Sequence, residues 1–413
     1  MHPPDSSWSL SARWVFPVDR PPIEGGVVVI ANGRIRAVER RGYCKTDVDL
    51  GDYALLPGSV NAHTHLDLSG LRGRIPTQAS FLDWLRAVIR HRRERTPDQV
   101  DADIHQGIAE SIAAGVTLVG DIAGEGLSLP LLSEAPLRSV VFYEILGLSK
   151  PRARRAWSAA QAWLAARSAT AVCRPGLSPH APYSVRRSIF RAVIAVARAR
   201  RVPLCIHLGE SKEEMELLEH HVGPLVEFLK ELNSWDEAGL TNLSELGRLF
   251  RSVPTVALAH CNHLDPTHLP PGSSIVYCPR THAYFGRPPH PFRDFLPRGV
   301  RVALGTDSLA SNPNLDLLAE AQFLHGRYPD FPGESLLHMA TLAGAEVLGW
   351  ADETGSLTPG KSADLVAVPL ADRAVDNPYH ALFQSTGPRI VLFRGSVVSG
   401  TLPGERFTSP LNP

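Results

Sequence analysis

Residues 53–70 read YALLPGSVNAHTHLDLSG, an apolar run that ends in two histidines, His63 and His65. The apolar run YALLPGSV predicts a strand, and side chains two positions apart on an extended chain point to the same side. The two imidazoles can therefore hold one metal ion, or they can simply form the polar end of a strand. The remainder of the sequence decides between these two possibilities.

Seven more apolar runs follow along the chain, and segments of helical character separate them. FLDWLRAVIRHRRER (81–95) and RRSIFRAVIAVARARR (186–201) are two of these helical segments. Eight strands that alternate with helices predict an α/β fold, a (β/α)8 TIM-type barrel in which every sheet edge is closed. The seven runs are TLVGDI (117–122), SVVFYEIL (139–146), TAVCRPGLS (170–178), VPLCIHLG (202–209), TVALAHC (255–261), SSIVYC (273–278) and VRVALGTD (300–307).

Short strands and turns occupy both ends of the chain. Near the start, Asn32 and Gly33 separate two β-branched runs, as in a two-residue hairpin turn. Near the end, ADLVAV (363–368) and RIVLFRGSVVSG (389–400) are again apolar runs of strand length. We therefore expect the two ends to join in one small β-sandwich domain that flanks the barrel. The expected division of the chain is residues 1–56 and 351–413 for the sandwich and residues 57–350 for the barrel.

The composition is that of a globular protein without a charge bias. The 413 residues include 42 basic and 42 acidic side chains, so no net field draws the protein to nucleic acid or to an anionic membrane. No uninterrupted apolar stretch approaches the roughly 18 residues that span a bilayer. The five cysteines are scattered and odd in number, which argues against a disulfide framework. We expect a cytoplasmic protein that binds a small molecule, with no nucleic-acid or membrane partner.

Polar side chains with the chemistry of metal ligands stand at the ends of four predicted strands. The active site of such a barrel lies at the carboxyl ends of its strands. Neutral imidazoles with a carboxylate suit Zn²⁺ or Fe²⁺ and leave a coordination position for water. A single histidine at a strand end is more often a polar cap, but five such residues on one rim predict a metal site. They are His63 and His65 after strand one, His207 after strand five, His260 after strand six and Asp307 after strand eight.

Glu210 follows His207 by three residues and so stands beside the same rim. A glutamate at the start of a helix is often only a favourable partner of the helix dipole. Beside a metal-activated water, the same carboxylate can carry protons between water and substrate as a general acid and base. We expect the catalytic role for Glu210.

These motifs resemble the amidohydrolase superfamily, and within it the mononuclear branch of cytosine deaminases, chlorohydrolases and deaminases of adenosine derivatives. The resemblance covers roughly residues 20–370 and rests on the H-x-H after strand one and the H-x-x-E after strand five. Further matching segments are PGSVNAHTHLDLS (57–69), SPHAPYS (178–184), GTDSLASNPNLDLLAE (305–320) and GSLTPGKSADLVAV (355–368).

The resemblance implies a role for each matching residue. His260 would orient the hydrolytic water, Glu210 would shuttle protons, and Asp307 would also accept a proton from that water. His180, in SPHAPYS, corresponds to a substrate-contacting position. Binuclear relatives carry a lysine after strand four, and its absence here implies one divalent ion, with zinc expected and iron as the alternative. The implied metal ligands are His63, His65, His207 and Asp307.

The resemblance also implies a reaction, in which activated water attacks a trigonal carbon of an N-heterocycle and ammonia leaves. The expected substrate is an adenine-ring nucleoside derivative such as aminodeoxyfutalosine, S-adenosylhomocysteine or methylthioadenosine. Two alternatives stay open: chloro- or amide hydrolysis at a triazine-like ring or an exocyclic C–N bond, and a metal-binding homologue without activity. Dimers are common among similar proteins, so a homodimer stands as an alternative to a monomer.

The segment after strand seven, YCPRTHAYFG (277–286), departs from the N-P-x-S-N type of run that many deaminases of this branch carry. Arg280 and His282 are candidates to recognise a planar ring with an acidic group, since a guanidinium matches a carboxylate bidentately. Arg280 can equally pair with a carboxylate of a neighbouring loop. The loop after strand one offers Asp67 and Trp84 as further substrate-binding candidates.

Overall fold

The computed structural model of the protein describes residues 7–76, 80–251, 253, 256–269, 272–370 and 377–403. Two hydrogen-bonded sheets organise this part of the chain: a parallel barrel surrounded by helices, and a mixed sheet built from both chain ends. No helix within the described ranges is long and apolar enough to cross a membrane.

The strands are β1 (Trp8–Val15), β2 (Ile23–Ala31), β3 (Arg34–Arg40), β4 (Val48–Asp49), β5 (Tyr53–Pro57), β6 (Ser59–Thr64), β7 (Val116–Gly124), β8 (Arg138–Ile145), β9 (Cys173–Pro179), β10 (Leu204–Leu208), β11 (Val256–His260), β12 (Ser274–Tyr277), β13 (Arg301–Leu304), β14 (Leu365–Pro369), β15 (Ile390–Phe393) and β16 (Ser396–Ser399). The α-helices are α1 (Phe81–Glu94), α2 (Pro97–Ala113), α3 (Leu129–Glu134), α4 (Lys150–Ala165), α5 (Arg187–Arg200), α6 (Lys212–His220), α7 (Pro224–Glu231), α8 (Leu243–Phe250), α9 (Pro279–Tyr284), α10 (Phe292–Phe295), α11 (Leu317–Arg327), α12 (Gly333–Ala340), α13 (Leu342–Val347) and α14 (Pro378–Phe383).

Strands β6 to β13 form the barrel and pair in parallel in the order in which they occur in the chain. A bridge between Thr64 and Asp307 joins the end of the first strand to the segment after the last. Small and branched side chains such as Val60, Val140 and Ala257 form a buried cluster among these strands. The predicted α/β barrel is therefore confirmed, and each of the seven later apolar runs overlaps one of its strands.

The first predicted strand is two strands. β5 pairs with β1 and β14 of the mixed sheet, whereas β6 begins the barrel. Gly58 separates them, and a Cβ at this position would lie 2.1 Å from the Thr117 hydroxyl oxygen, so only glycine fits this close approach. A single strand across YALLPGSV was therefore wrong, although the histidines do follow the first barrel strand.

The mixed sheet has the strand order β16-β15-β14-β5-β1-β2-β3, with β4 paired to β1. Antiparallel pairing of β5 with β14 joins the two ends of the chain, as the sequence predicts. Asn32 and Gly33, with φ angles of 53° and 71°, form the predicted hairpin turn between β2 and β3. The domain boundaries at residues 56 and 350 stay a prediction.

A buried ion pair connects the barrel to the mixed sheet. Arg138, the first residue of β8, donates from Nε to the Asp364 carboxylate over 2.9 Å, and both side chains are at most 4% exposed. Asp364 precedes β14 and also accepts hydrogen bonds from the Ser362 hydroxyl and the Arg394 backbone N–H. The carboxylate thus connects a barrel strand to two segments of the mixed sheet.

Replacing Asp364 with asparagine should lower the free energy of unfolding by about 3 kcal/mol, because the buried Arg138 charge loses its closest carboxylate and keeps only Glu353, 3.7 Å away. Urea denaturation followed by circular dichroism measures this change. The control is Arg41→Ala, which removes an exposed ion pair with Asp49 and should cost less than about 1 kcal/mol. A loss no larger in the first variant than in the control would contradict a stabilising role for the buried pair.

Candidate active site

Three histidines converge inside the mouth of the barrel. His63 and His65 lie at the end of β6 and His207 lies on β10, and one nitrogen from each is within 4.8 Å of the others. The Nε2 atoms of His65 and His207 are 3.3 Å apart. His63 Nδ1 faces the Cys205 thiol, and its buried Nε2 has no hydrogen-bond partner among the described residues. The three rings therefore present nitrogen atoms to one common point.

Asp307 brings a carboxylate to the same point from beyond β13. Its Oδ1 lies 3.8 Å from His63 Nε2 and 3.6 Å from His65 Nε2. Within the described ranges, no lysine or arginine forms an ion pair with the carboxylate, and its neighbours are these two histidines. Burial raises the pKa of Asp307 to about 8, with the nearby Glu210 carboxylate adding to the effect. A buried carboxylate in this position needs a cation.

The donor set fits a divalent metal ion. Burial holds the pKa of His63, His65 and His207 well below the ordinary value, so the imidazoles are neutral and their lone pairs are free. His207 Nδ1 faces the His180 carbonyl oxygen at 3.1 Å. Because a carbonyl only accepts, Nδ1 carries the proton and Nε2 offers its lone pair to the centre. A metal ion would accept the lone pair of His63 Nε2, which has no partner, and would balance the charge of the Asp307 carboxylate.

Glu210 and His260 face each other at the edge of this centre. His260 Nε2 lies 3.9 Å from Glu210 Oε1, and both side chains are buried. Burial raises the pKa of Glu210 to about 7, against the opposing effect of the Arg287 charge. The Glu210 backbone is held on both sides, since its N–H donates to Glu214 and its carbonyl accepts from Asn262. A carboxylate that titrates near neutrality and is held rigidly is suited to proton transfer.

His180 lies against the histidine cluster, as predicted for a substrate-contacting residue. Its ring centroid is 4.7 Å from that of His207, and its Nδ1 is 2.7 Å from the Ser184 hydroxyl. Its Nε2 lies 4.0 Å from a carboxylate oxygen of Glu144. Burial lowers the pKa of His180 to about 3, so the ring is neutral. One face of the neutral ring therefore borders the centre, next to His207.

Arg280 lies away from this centre and binds protein groups instead. Its Nε donates to Glu320 over 2.7 Å, and its Nη2 donates to the side chain of Asn314 over 2.8 Å. Glu320 is fully buried, and the pair connects helices α9 and α11. The structure favours the loop-carboxylate alternative, and we do not retain the substrate-binding role for Arg280.

The side chains of Asp67, Trp84 and His282 are also occupied by protein groups. Asp67 forms buried ion pairs with Arg92 and Arg95. Trp84 packs in an apolar cluster and donates from Nε1 to the Ala310 carbonyl over 3.3 Å. His282 donates from Nε2 to the Pro288 carbonyl over 2.7 Å. Through these contacts the three residues support the surrounding loops. Their substrate-binding roles stay a prediction.

Arg287 is one of the residues near the site that the sequence did not single out. It follows α9 in the same segment as Arg280, and its guanidinium approaches Glu210. Glu214 and Asn262, which hold the Glu210 backbone, were also missed. In the sequence, the clue to Arg287 is its position seven residues after Arg280. This spacing does not tell which of the two arginines faces the barrel mouth.

The sequence matches the amidohydrolase family over residues 54–398. It is 30% identical over 385 residues to a 5-methylthioadenosine/S-adenosylhomocysteine deaminase of Moorella thermoacetica, covering 86% of this chain and 83% of the relative. It is 29% identical over 353 residues to the aminodeoxyfutalosine deaminase of Deinococcus radiodurans, covering 79% and 81%. The fold is similar to that of a zinc-bound adenosine deaminase from Xanthomonas campestris, with a TM-score of 0.80 at 24% identity over 96% of this chain and 93% of that one. The chain belongs to the amidohydrolase family.

Proposed function

We propose that this chain is a metal-dependent aminohydrolase that replaces the amino group of an adenine-ring nucleoside derivative with oxygen and releases ammonia. The observation that carries the proposal is the Glu210–His260 pair, 3.9 Å apart, beside a cluster of metal-ligand residues. Relatives that cover most of the chain are named as deaminases of methylthioadenosine, S-adenosylhomocysteine and aminodeoxyfutalosine. The same compounds form the proposed substrate class here.

We propose that the ligands of the ion are His63, His65, His207 and Asp307. The ion would be a single zinc, because β9 ends in the segment SPHAPYS without the lysine that a binuclear site requires. The zinc-bound structural relative agrees with this choice of metal. When bound, such an ion supplies Lewis-acid chemistry that makes water a nucleophile near neutral pH.

The protein groups divide the proton transfers among themselves. His260 Nε2 is buried without a partner in the described structure, so this nitrogen would be free to orient the hydrolytic water. Glu210 would take one proton from water and deliver it to a ring nitrogen. Asp307 would accept the second proton of the same oxygen, and this proton would pass through Glu210 to the amino group, which leaves as ammonia. Neutral His180 borders the substrate. The products are ammonia and a ring with an oxygen at the attacked carbon.

We further propose a reducing, cytoplasmic location. The five cysteines, four of them buried, are all unpaired in the structure, which suits that compartment. The proposed partner is the small-molecule substrate, and a homodimer stays a prediction.

Replacing Glu210 with glutamine should lower kcat by about 10²- to 10⁴-fold, because an amide cannot move protons between water and ring. Ammonia release measures this, with methylthioadenosine, S-adenosylhomocysteine and aminodeoxyfutalosine as substrates. The control is Glu216→Gln, an exposed glutamate on helix α6, which follows Glu210 in the chain; this variant should keep the wild-type rate. Cytosine and a chloro-s-triazine belong in the panel, because turnover of the triazine alone would instead favour a chlorohydrolase. A native rate for Glu210→Gln on any confirmed substrate would contradict the proton-shuttle role.

Removal of the metal should abolish activity and lower the melting temperature, since binding to the folded state stabilises it by about 2.7 kcal/mol at 100 times Kd. Chelation, dialysis and differential scanning calorimetry test this. Stepwise return of zinc should restore activity with a break at one equivalent, whereas a break at two would contradict a single-ion site. His207→Asn should show no response to chelator, and the exposed His220→Asn should behave as the wild type.

A further inference from the structure

Glu144 is a buried carboxylate at the mouth of the barrel, and among the described residues only one of its oxygens finds a partner. It is the penultimate residue of β8, whose carboxyl end opens at the same rim as the histidine cluster. Arg92 Nη1 donates to Oε2 over 2.6 Å, and the Glu144 side chain is 3% exposed. Oε1 has no hydrogen-bond partner in the described structure, yet it retains accessible surface, unlike the enclosed His63 Nε2. This oxygen is therefore an open acceptor that a ligand can reach.

Ion pairs hold this carboxylate in position. Arg92 also donates from Nε and Nη2 to the two oxygens of Asp67, so its guanidinium is fixed on both sides. Arg95 Nη2 donates to the same Asp67 carboxylate over 2.9 Å. Burial raises the pKa of Glu144, while the Arg92 charge opposes this rise and favours the ionised form. An ionised carboxylate oxygen only accepts hydrogen bonds, so Oε1 needs a donor.

Glu144 lies across the mouth from the groups that we propose to act on the amino group of the substrate. Glu210 follows β10 and His260 ends β11, whereas Glu144 is on β8, three strands from β11 in a closed barrel of eight. His180 lies between the two sides, with its ring centroid 4.7 Å from that of His207. In an adenine nucleoside, the amino group and the sugar are at opposite ends of the ring. A ring whose amino carbon meets Glu210 and His260 would therefore extend its sugar toward the end of β8.

The Glu144 oxygen and the neighbouring histidine are both available to such a sugar and ring. His180 Nε2 lies 4.0 Å from Glu144 Oε1, which is too long for a hydrogen bond between them. A carboxylate oxygen has two lone pairs and can accept from two neighbouring hydroxyls. Dinucleotide-binding proteins use an acidic side chain on ribose hydroxyls for the same chemical reason.

We propose that Glu144 is a substrate-binding residue, whose Oε1 accepts hydrogen bonds from the two neighbouring hydroxyls of a ribose. The subsite rests on the proposed function for the orientation of the substrate, and it selects ribonucleosides over deoxynucleosides and free bases. Arg92 is a positioning residue, which holds Oε2 and leaves Oε1 to the ligand.

Substrates that differ only in their hydroxyls test the subsite. With the wild type, kcat/KM for the 2′,3′-dideoxy analogue of methylthioadenosine should be about 10- to 100-fold below that for methylthioadenosine, mainly through KM, because hydrogen bonds to a charged oxygen are lost. In Glu144→Gln, Arg92 would hold the amide oxygen and leave the amide nitrogen facing the sugar. The preference for methylthioadenosine should then fall to less than about 3-fold.

The matched control is Glu134→Gln, which removes an exposed charge at the end of α3. It should keep the wild-type preference for the ribose. Equal kcat/KM for the two substrates with the wild type would overturn the subsite without recourse to any variant. An equal fall in kcat for both substrates in Glu144→Gln, with the preference unchanged, would also overturn it and leave Glu144 as a positioning residue for Arg92.

Binding of inosine and 2′,3′-dideoxyinosine separates this proposal from the proposed function. Calorimetry on the metal-loaded protein should show inosine binding about 10-fold more tightly, and Glu144→Gln should remove the difference. This result without deamination of any nucleoside would sink the proposed function and leave the subsite standing. Deamination of nucleosides with no preference for ribose in either binding or turnover would overturn the subsite alone.

Discussion

The barrel closes where its first and last strands meet, and that contact places the candidate metal ligands. The Asp307 backbone N–H donates to the His63 carbonyl over 3.0 Å, and the Thr64 hydroxyl donates to the Asp307 carbonyl across 243 positions of sequence. Asp307 has a φ of 57°, a left-handed conformation that aspartate adopts more readily than most residues. This local turn, combined with barrel closure, brings the carboxylate to 3.6 Å from His65 Nε2. The site therefore depends on the register of the closed barrel.

Burial then sets the protonation states of the groups that closure brings together. Desolvation keeps the His63 and His207 rings neutral, which makes their lone pairs available. The same desolvation raises the pKa of Asp307 to about 8 and that of Glu210 to about 7. A metal ion bound by the histidines would stabilise the ionised form of Asp307, which lies in the cluster, more than that of Glu210, which lies at its edge. The two buried carboxylates thus differ in their surroundings, since Asp307 lies among the histidines and Glu210 lies beside His260 and Arg287.

Residues at strand ends could be predicted from the sequence because their placement follows from strand order alone. His63, His207 and Asp307 each follow an apolar run, and parallel closure carries all three to one rim. The division at Gly58 could not be predicted in this way, since it depends on the approach of Thr117 from a later strand. The surroundings of the substrate-binding candidates could not be predicted for a similar reason. Arg280 is occupied by Glu320, a partner 40 residues away whose proximity no local pattern reveals.

The segment after β12 carries two arginines with different surroundings. Arg280 has hydrogen-bond acceptors within reach and donates to Glu320. Arg287 lies beside Glu210, but the distance between the two side chains is too long for a hydrogen bond. His282 fixes that loop through Pro288 and also contacts Asn262, whose amide donates to the Glu210 carbonyl. One small network thus positions both the proton shuttle and the free guanidinium. At 3.9 Å, the guanidinium influences the Glu210 carboxylate through its charge without a direct hydrogen bond.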